Sequence, residues 1–483
     1  MATTSESLET IASNVTEIAK ESALILENGR QTIVKETQTV VKEQVAPVNS
    51  LTDNDYKTIG RKLHQNIGGY FNYTDYILNV TDVSILPDRS GGFVLPIVYL
   101  DGDISGMVTK DDKVDLNYKI GRFNGQFYEG TCQCKYQGNT TWNTPKHNYS
   151  LSKMTDKLDF GWGAQKKYVL KGEFREGSYA RNVVCAKLWA DVVKSRTDTN
   201  DLLTRVKSTP NCCAVDGFPV MLVLNGNYRG VFTLNIPKDK WMMGMGDGER
   251  EALLQTDAGG VLNIQTWNAP LTKEILLTDD VSMTIEYVPD EDDVDWVVDS
   301  WNNIYNIVNN NQNNANYIDL LSPYVDITNA IDYYIYCCLL GNWDGINHNF
   351  LFSTFDGTKW FYTAYDLNFV FGLKGAATAD PRTEVPTFVN FSNNNKLMHL
   401  FYTHSKDLIK SRYEVIRNSA LSEANVLTKF TQFLSRIPER LRQVEYELYP
   451  KENNTFGEHL SQIMNWYRLR CETLDKQVES WNV

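Results

Sequence analysis

Two carboxylates and an amide lie close together late in the chain, in Gly341-Asn342-Trp343-Asp344-Gly345-Ile346-Asn347-His348-Asn349 and in Tyr365-Asp366-Leu367-Asn368. An Asp that takes a hydrogen bond from an incoming hydroxyl, with an Asn and a second Asp on Mg²⁺, is a residue set suited to phosphoryl transfer. Asp344, Asn349 and Asp366 supply those residue types in that order. Their spacing also places them. Residues 350–354 read as a strand, Asp356-Gly357 as a turn and residues 360–365 as an aromatic strand. Such a hairpin carries Asn349 and Asp366 to the same end of a sheet, with Asp344 in the loop before it. An apolar run, residues 333–340, leads into that loop. Turns in an Asn-rich chain produce similar patterns without chemistry, so the elements around the set decide its meaning.

Two stretches earlier in the chain offer groups for phosphate. Cys132, Cys134 and Tyr136 alternate on a strand that runs into Gln137-Gly138-Asn139-Thr140-Thr141-Trp142 and on through Pro145-Lys146-His147-Asn148-Tyr149. A polar turn of this kind can cover phosphates with backbone N–H groups, and a lysine beside it can pair with them. An ordinary hairpin turn has the same composition. Tyr168-Val169-Leu170-Lys171 reads as a strand ending in lysine, followed by a helix over 179–194. That is one place for a phosphate-pairing lysine, although a solvated strand end is commoner. The aromatic density around Asp366 can stack a flat base or simply fill a core. Among the six histidines none stands in a nucleophile-elbow context, which leaves Ser/His/Asp hydrolysis without support. His348 adjoins the set, but an extended segment with Asn349 inward turns it outward, as a surface or packing residue. Asp332, just before the apolar run, reads as a structural carboxylate.

The 483 residues, 42% hydrophobic and 22% charged, describe an ordinary globular chain large enough for one two-lobed domain and an appendage. A net charge of −13 argues against nucleic-acid binding, which needs a basic surface. Eight cysteines without paired CxxC motifs point to buried reduced thiols rather than a zinc site or a disulfide scaffold. The polar, acidic start lacks a signal-peptide h-region and no apolar stretch reaches bilayer length, so synthesis in the cytoplasm and no membrane partner are expected. Residues 1–47 read as a long helix. Leu8, Ile11, Val15, Ile18 and Ile25 fall on a coiled-coil seam that shifts register near Gly29 and stops at Pro47. This predicts a homo-oligomer joined through 1–47, a linker at 48–89 and a domain over 90–483. Within that domain strands come first and helices last: an α+β order with antiparallel strands N-terminal and helices C-terminal. Asn225-Gly226 marks a tight hairpin turn within it.

Taken in order, these pieces resemble the CotH-type kinases, the atypical kinase family first associated with bacterial spore coats. Gln137-Gly138-Asn139-Thr140-Thr141-Trp142 with Pro145-Lys146 is similar to the family's polar turn, and Tyr168-Val169-Leu170-Lys171 with Ser178-Tyr179-Ala180-Arg181-Asn182 to its strand and helix start. Leu224-Asn225-Gly226-Asn227-Tyr228-Arg229-Gly230-Val231 resembles its hairpin, Asn342 to Asn349 its "N.D….N", and Tyr365-Asp366-Leu367-Asn368 its "WDLD". The resemblance implies a kinase-like two-lobed fold using ATP and Mg²⁺ to phosphorylate a protein hydroxyl. It implies Asp344 as the catalytic carboxylate, Asn349 and Asp366 as metal ligands, Lys146 and Lys171 on phosphates beside the Gly138 turn, and Tyr365 stacking on adenine. The chain departs from the family at Gln137 for Arg, Asn235 where Glu is usual, and Asn368 for the second Asp of "WDLD". The alternative is a bacteriophage virion protein, a tail appendage or receptor-binding protein, with other virion or coat proteins as partners. The N-terminal helix favours that alternative.

Overall fold

The computed structural model describes residues 95–483, except for 123–125, 139–143, 247, 257–268, 278–282, 375, 376, 379, 384–386, 389–394, 435, 438 and 450–455. The expected helix at 1–47 and linker at 48–89 lie outside the described residues, as do residues 139–143 of the polar turn. The chain forms two compact units, each drawn from three stretches. Met1–Val184, Gly217–Pro237 and Glu423–Asn465 make the first; Cys185–Asp216, Lys238–Ser422 and Trp466–Val483 make the second.

The first unit is built on seven strands: β1 (Ile97–Asp101), β2 (Val114–Gly121), β3 (Phe127–Gln137), β4 (Asn148–Ser152), β5 (Tyr168–Lys171), β6 (Gly217–Leu224) and β7 (Asn227–Asn235). They close into a barrel in the order β1-β2-β3-β4-β5-β7-β6. Alternate residues fill it: Leu116, Tyr118 and Ile120 from β2, Cys132 and Cys134 from β3, Leu170 from β5, Phe232 and Leu234 from β7. Cys132 and Cys134 thus share one face, as their spacing predicts, and both are free thiols in the barrel core. The Asn225-Gly226 turn between β6 and β7 has both residues at positive φ, 50° and 73°, the hairpin that the dipeptide specifies. Helix α1 (Arg181–Lys194) starts in this unit and ends in the other.

This architecture corrects the expected kinase-like two-lobed α+β arrangement of N-terminal antiparallel strands and C-terminal helices. The barrel is closed, and its closing pair, β1 with β6, is parallel, with Val98 opposite Leu222. A further sheet lies in the second unit among helices, and residues 423–465 return to the barrel's unit. Periodicity marks a strand but not its partner. β6 is buried along its whole length, which accommodates neighbours on both edges without any local signal of a parallel one.

In the second unit β8 (Ala252–Thr256), β9 (Met283–Tyr287), β10 (Phe350–Thr354) and β11 (Trp360–Ala364) form an antiparallel sheet in the order β11-β10-β8-β9. Helix α2 (Ile327–Leu340) is apolar on nearly every face and correspondingly buried. Asp326 caps its start by accepting from Asn329 N at 3.0 Å, and Gly341, in the left-handed region, ends it. Asn329 then imitates a strand edge, taking the Tyr362 N–H at 2.6 Å and donating to the Tyr362 carbonyl at 3.1 Å. Tyr333 stacks on Tyr362 with ring centroids 4.9 Å apart. The helix is therefore fixed to β11 by polar and aromatic contacts together. No helix among the described residues is long and apolar enough to cross a membrane.

Candidate functional site

Everything between α2 and β11 is short, so the candidate set has little freedom. After Gly341 the chain turns into the five-residue helix α3 (Trp343–Asn347), which replaces the expected loop around Asp344. Asn342 caps it, accepting from Gly345 N at 3.1 Å. Tyr333 of α2 donates to the Gly345 carbonyl at 2.8 Å, and Asn395 donates to the Ile346 carbonyl at 2.8 Å. A Cβ on Gly345 would collide with the Asn342 amide and the Tyr333 hydroxyl, so only glycine fits there. Asp344 is anchored from both sides of its helix.

The Asp344 carboxylate meets two neighbours. Asn349 donates from Nδ2 to Oδ2 at 3.2 Å, and His348 approaches Oδ1 with Nε2 at 2.5 Å. The sequence placed His348 outward by strand alternation, and the structure corrects this. Asn349 has φ 55°, so the backbone is not extended there, and consecutive side chains reach the same carboxylate. His348 is the neighbour of the Asp344 carboxylate that alternation turned away; its spacing of four from Asp344 across a short helix is the signal that could have found it.

Asn349 immediately precedes β10, and Tyr365 and Asp366 immediately follow β11. Phe350 pairs with Ala364, so Asn349 and Asp366 flank the same end of the hairpin, as the strand spacing predicts. Asp366 has φ 52°. Both positions thus occupy the left-handed region, where Asn and Asp are the least penalised residues apart from glycine. Paired non-glycine residues held this way at one end of a sheet are a feature of functional sites. Tyr365 is half-buried, and the ammonium of Lys238 lies 5.2 Å from its ring centroid while pairing with Glu286 of β9. Asp332 of α2 stands apart from this set. It is buried and held bidentately by Arg412 of α4 (Lys406–Arg417) at 2.7 and 2.8 Å, and burial raises its pKa to about 6. It is the structural carboxylate expected.

The remaining expected residues belong to the first unit. Gly138 directly follows β3 with φ 101°. Lys171 ends β5 on the outer face of the barrel, half-buried. Lys146 is fully enclosed. Its ammonium pairs with Glu445 of α5 (Glu439–Leu448), donates to the Val231 carbonyl at 2.5 Å, and sits 4.7 and 4.8 Å from the Tyr179 and Phe232 rings. The other oxygen of Glu445 accepts from Val231 N at 2.8 Å, and a side chain at Gly230 would occupy its place. In this arrangement the Lys146 ammonium is engaged by Glu445. Glu445 lies 299 residues from Lys146, a separation that no local pattern reveals.

The profile of the CotH kinase protein family matches residues 134–474, most of the chain. A search of curated proteins finds no match. The chain belongs to the CotH kinase family.

Proposed function

We propose that this member of the CotH kinase family transfers a phosphoryl group from ATP to a protein hydroxyl, with Mg²⁺ held by Asn349 and Asp366. The observation that carries this reading is the anchored Asp344 carboxylate. It is hydrogen-bonded to Asn349, at the end of the hairpin that also bears Asp366. Asp344 would accept the acceptor's hydroxyl proton in a hydrogen bond, aligning the oxygen for in-line attack. His348 and Asn349 hold the carboxylate plane while it does so.

The donor set suits Mg²⁺. That ion asks for one or two protein oxygens and takes the rest from water and phosphates. Asn349 would offer an amide oxygen and Asp366 a carboxylate oxygen, the kind of ligand such an ion takes from protein. Asn349 has the right two ends: its Nδ2 is engaged by Asp344, leaving Oδ1 as a ligand atom. Bound there, Mg²⁺ supplies charge neutralisation on the phosphate oxygens. Lys171 is the phosphate-contacting lysine we favour over Lys146, because Lys146 is enclosed with Glu445.

Transfer of labelled γ-phosphate to a protein acceptor tests the reading, with Asp344→Ala and Asp366→Ala as controls. Wild type should transfer and both variants should not. Transfer retained by Asp366→Ala would move the metal site elsewhere. A wild type that binds no nucleotide with Mg²⁺ would return the virion-appendage reading. The heptad spacing within residues 8–25 supports carriage of this domain on a self-associating helix. A monomer by light scattering of the full chain would remove that part.

A further inference from the structure

Helix α6 (Phe456–Glu479) belongs to the second unit from Trp466 onward, and the foregoing reading gives it no part. Its side chains nonetheless reach both chain segments that bound the candidate set. One is the end of α2, from which the chain turns to Asp344. The other is the stretch that follows Asp366.

These two segments are joined once directly, where Phe371 donates its N–H to the Leu340 carbonyl at 2.8 Å. That bond is made from a costly backbone. Phe371 has φ 54°, a region that a bulky side chain enters only under constraint, and Gly372 follows at 77°. The constraint comes from α6. The Trp466 and Tyr467 rings meet the Phe371 ring edge-on, with centroids 6.1 and 5.5 Å away. Trp466 also lies so close to Gly372 that a Cβ there would overlap its indole nitrogen.

One turn further along α6, Arg470 joins the segments a second time. It is closed to solvent, and it donates from Nε to the Cys338 carbonyl at 2.8 Å and from Nη1 to the Pro381 carbonyl at 3.1 Å. Cys338 stands in the last turn of α2, where carbonyls lack partners within the helix and the dipole favours a cation. A lysine would satisfy that end equally well. What the guanidinium fork adds is a second donor at fixed separation, and here it goes to the other segment. Its central carbon lies 5.7 Å from the Trp466 ring centroid, so the aromatic grip and the polar tie form one body.

Resting on the phosphoryl-transfer reading above, we infer that Arg470 is a positioning residue for that reaction. By tying the end of α2 to the segment downstream of Asp366, it sets the Asp344 carboxylate against Asp366. It acts through the backbone, being closed to solvent. In-line transfer tolerates little error of this kind, since a displacement of about 1 Å costs on the order of a hundredfold in rate.

The test compares Arg470→Gln, Arg470→Lys and Leu474→Ala in the full chain by phosphoryl transfer, thermal unfolding and hydrogen exchange. Leu474 is buried on the same helix, so its truncation loosens α6 without cutting the tie. Per folded molecule, kcat should fall about a hundredfold in Arg470→Gln and about tenfold in Arg470→Lys, with KM for ATP within about threefold of wild type. Amides in 338–349 and 366–372 should exchange about tenfold faster in both arginine variants. Leu474→Ala should melt earlier yet keep kcat and those amides as in wild type. If Arg470→Gln does not fold, Arg470→Lys decides alone. The inference is overturned if the arginine variants keep kcat, or if both segments stay protected in them. It is also overturned if Leu474→Ala loses as much kcat at equal loss of stability, the signature of a merely structural helix. A wild type that transfers nothing brings down the phosphoryl-transfer reading and this role with it; arginine variants that transfer like an active wild type bring down this role alone.

Discussion

Two buried carboxylates divide the molecule's labour differently. Glu445 in the first unit has both oxygens spent, one on Lys146 and one on the Val231 N–H, and the ammonium it holds is ringed by Tyr179 and Phe232. Asp344 in the second unit is met by an imidazole and an amide, groups that can yield to a substrate hydroxyl without leaving a full charge unpaired. The first arrangement suits holding a fold, since a buried ion pair is costly to break on one side. The second suits chemistry.

Mutations should separate the two. Glu445→Ala leaves the Lys146 ammonium enclosed without its carboxylate, and the first unit should lose about 3–5 kcal/mol in urea unfolding. The double variant Lys146→Met/Glu445→Leu should recover most of that. If Glu445→Ala costs less than about 1 kcal/mol, the pair is not structural and the contrast collapses. Asp344→Asn should reverse the pattern: phosphoryl transfer down about a hundredfold or more, near 3 kcal/mol in the barrier, with little change in the unfolding midpoint. Gly345→Ala presses on the Asn342 amide and the Tyr333 hydroxyl, and should cost about 1–3 kcal/mol of stability while also lowering transfer through a displaced Asp344. A loss of stability without a loss of transfer would show that α3 does not set the carboxylate's position.

The smallest effect concerns Asp332, a sealed carboxylate in the same unit as the open one. Burial raises its pKa to about 6, above the unfolded value of 3.8. The folded state then binds the proton more tightly, so this group's contribution to stability is full below about pH 4 and declines as pH rises through 6. The difference in unfolding free energy between wild type and Asp332→Asn should fall over that interval and level off above it. A difference that rises with pH would mean that Arg412 outweighs burial.

Much of the second unit was legible because its signals are local. Residues 350–354 and 360–364 carry strand composition around Asp356-Gly357, and the hairpin they form places Asn349 and Asp366 as the spacing requires. Asn225-Gly226 likewise specified its turn. What failed did so where local rules stop. Alternation put His348 on the wrong side because it assumes extended backbone, and Asn349 is left-handed. The barrel's parallel closure and the Glu445 partner of Lys146 join residues too distant for any periodic pattern to connect.

The separation of 299 positions from Lys146 to Glu445 also sets a schedule during synthesis. At roughly 5–20 residues per second, the ammonium waits about 15–60 s on the ribosome before its carboxylate has been made. The strands β1 to β7 are complete well before then, but the helix that neutralises their buried lysine is not. Nascent chains arrested before residue 445 should therefore hold the barrel in a protease-sensitive state. Moving the arrest point far enough for residue 445 to emerge and pair should convert it to a resistant one.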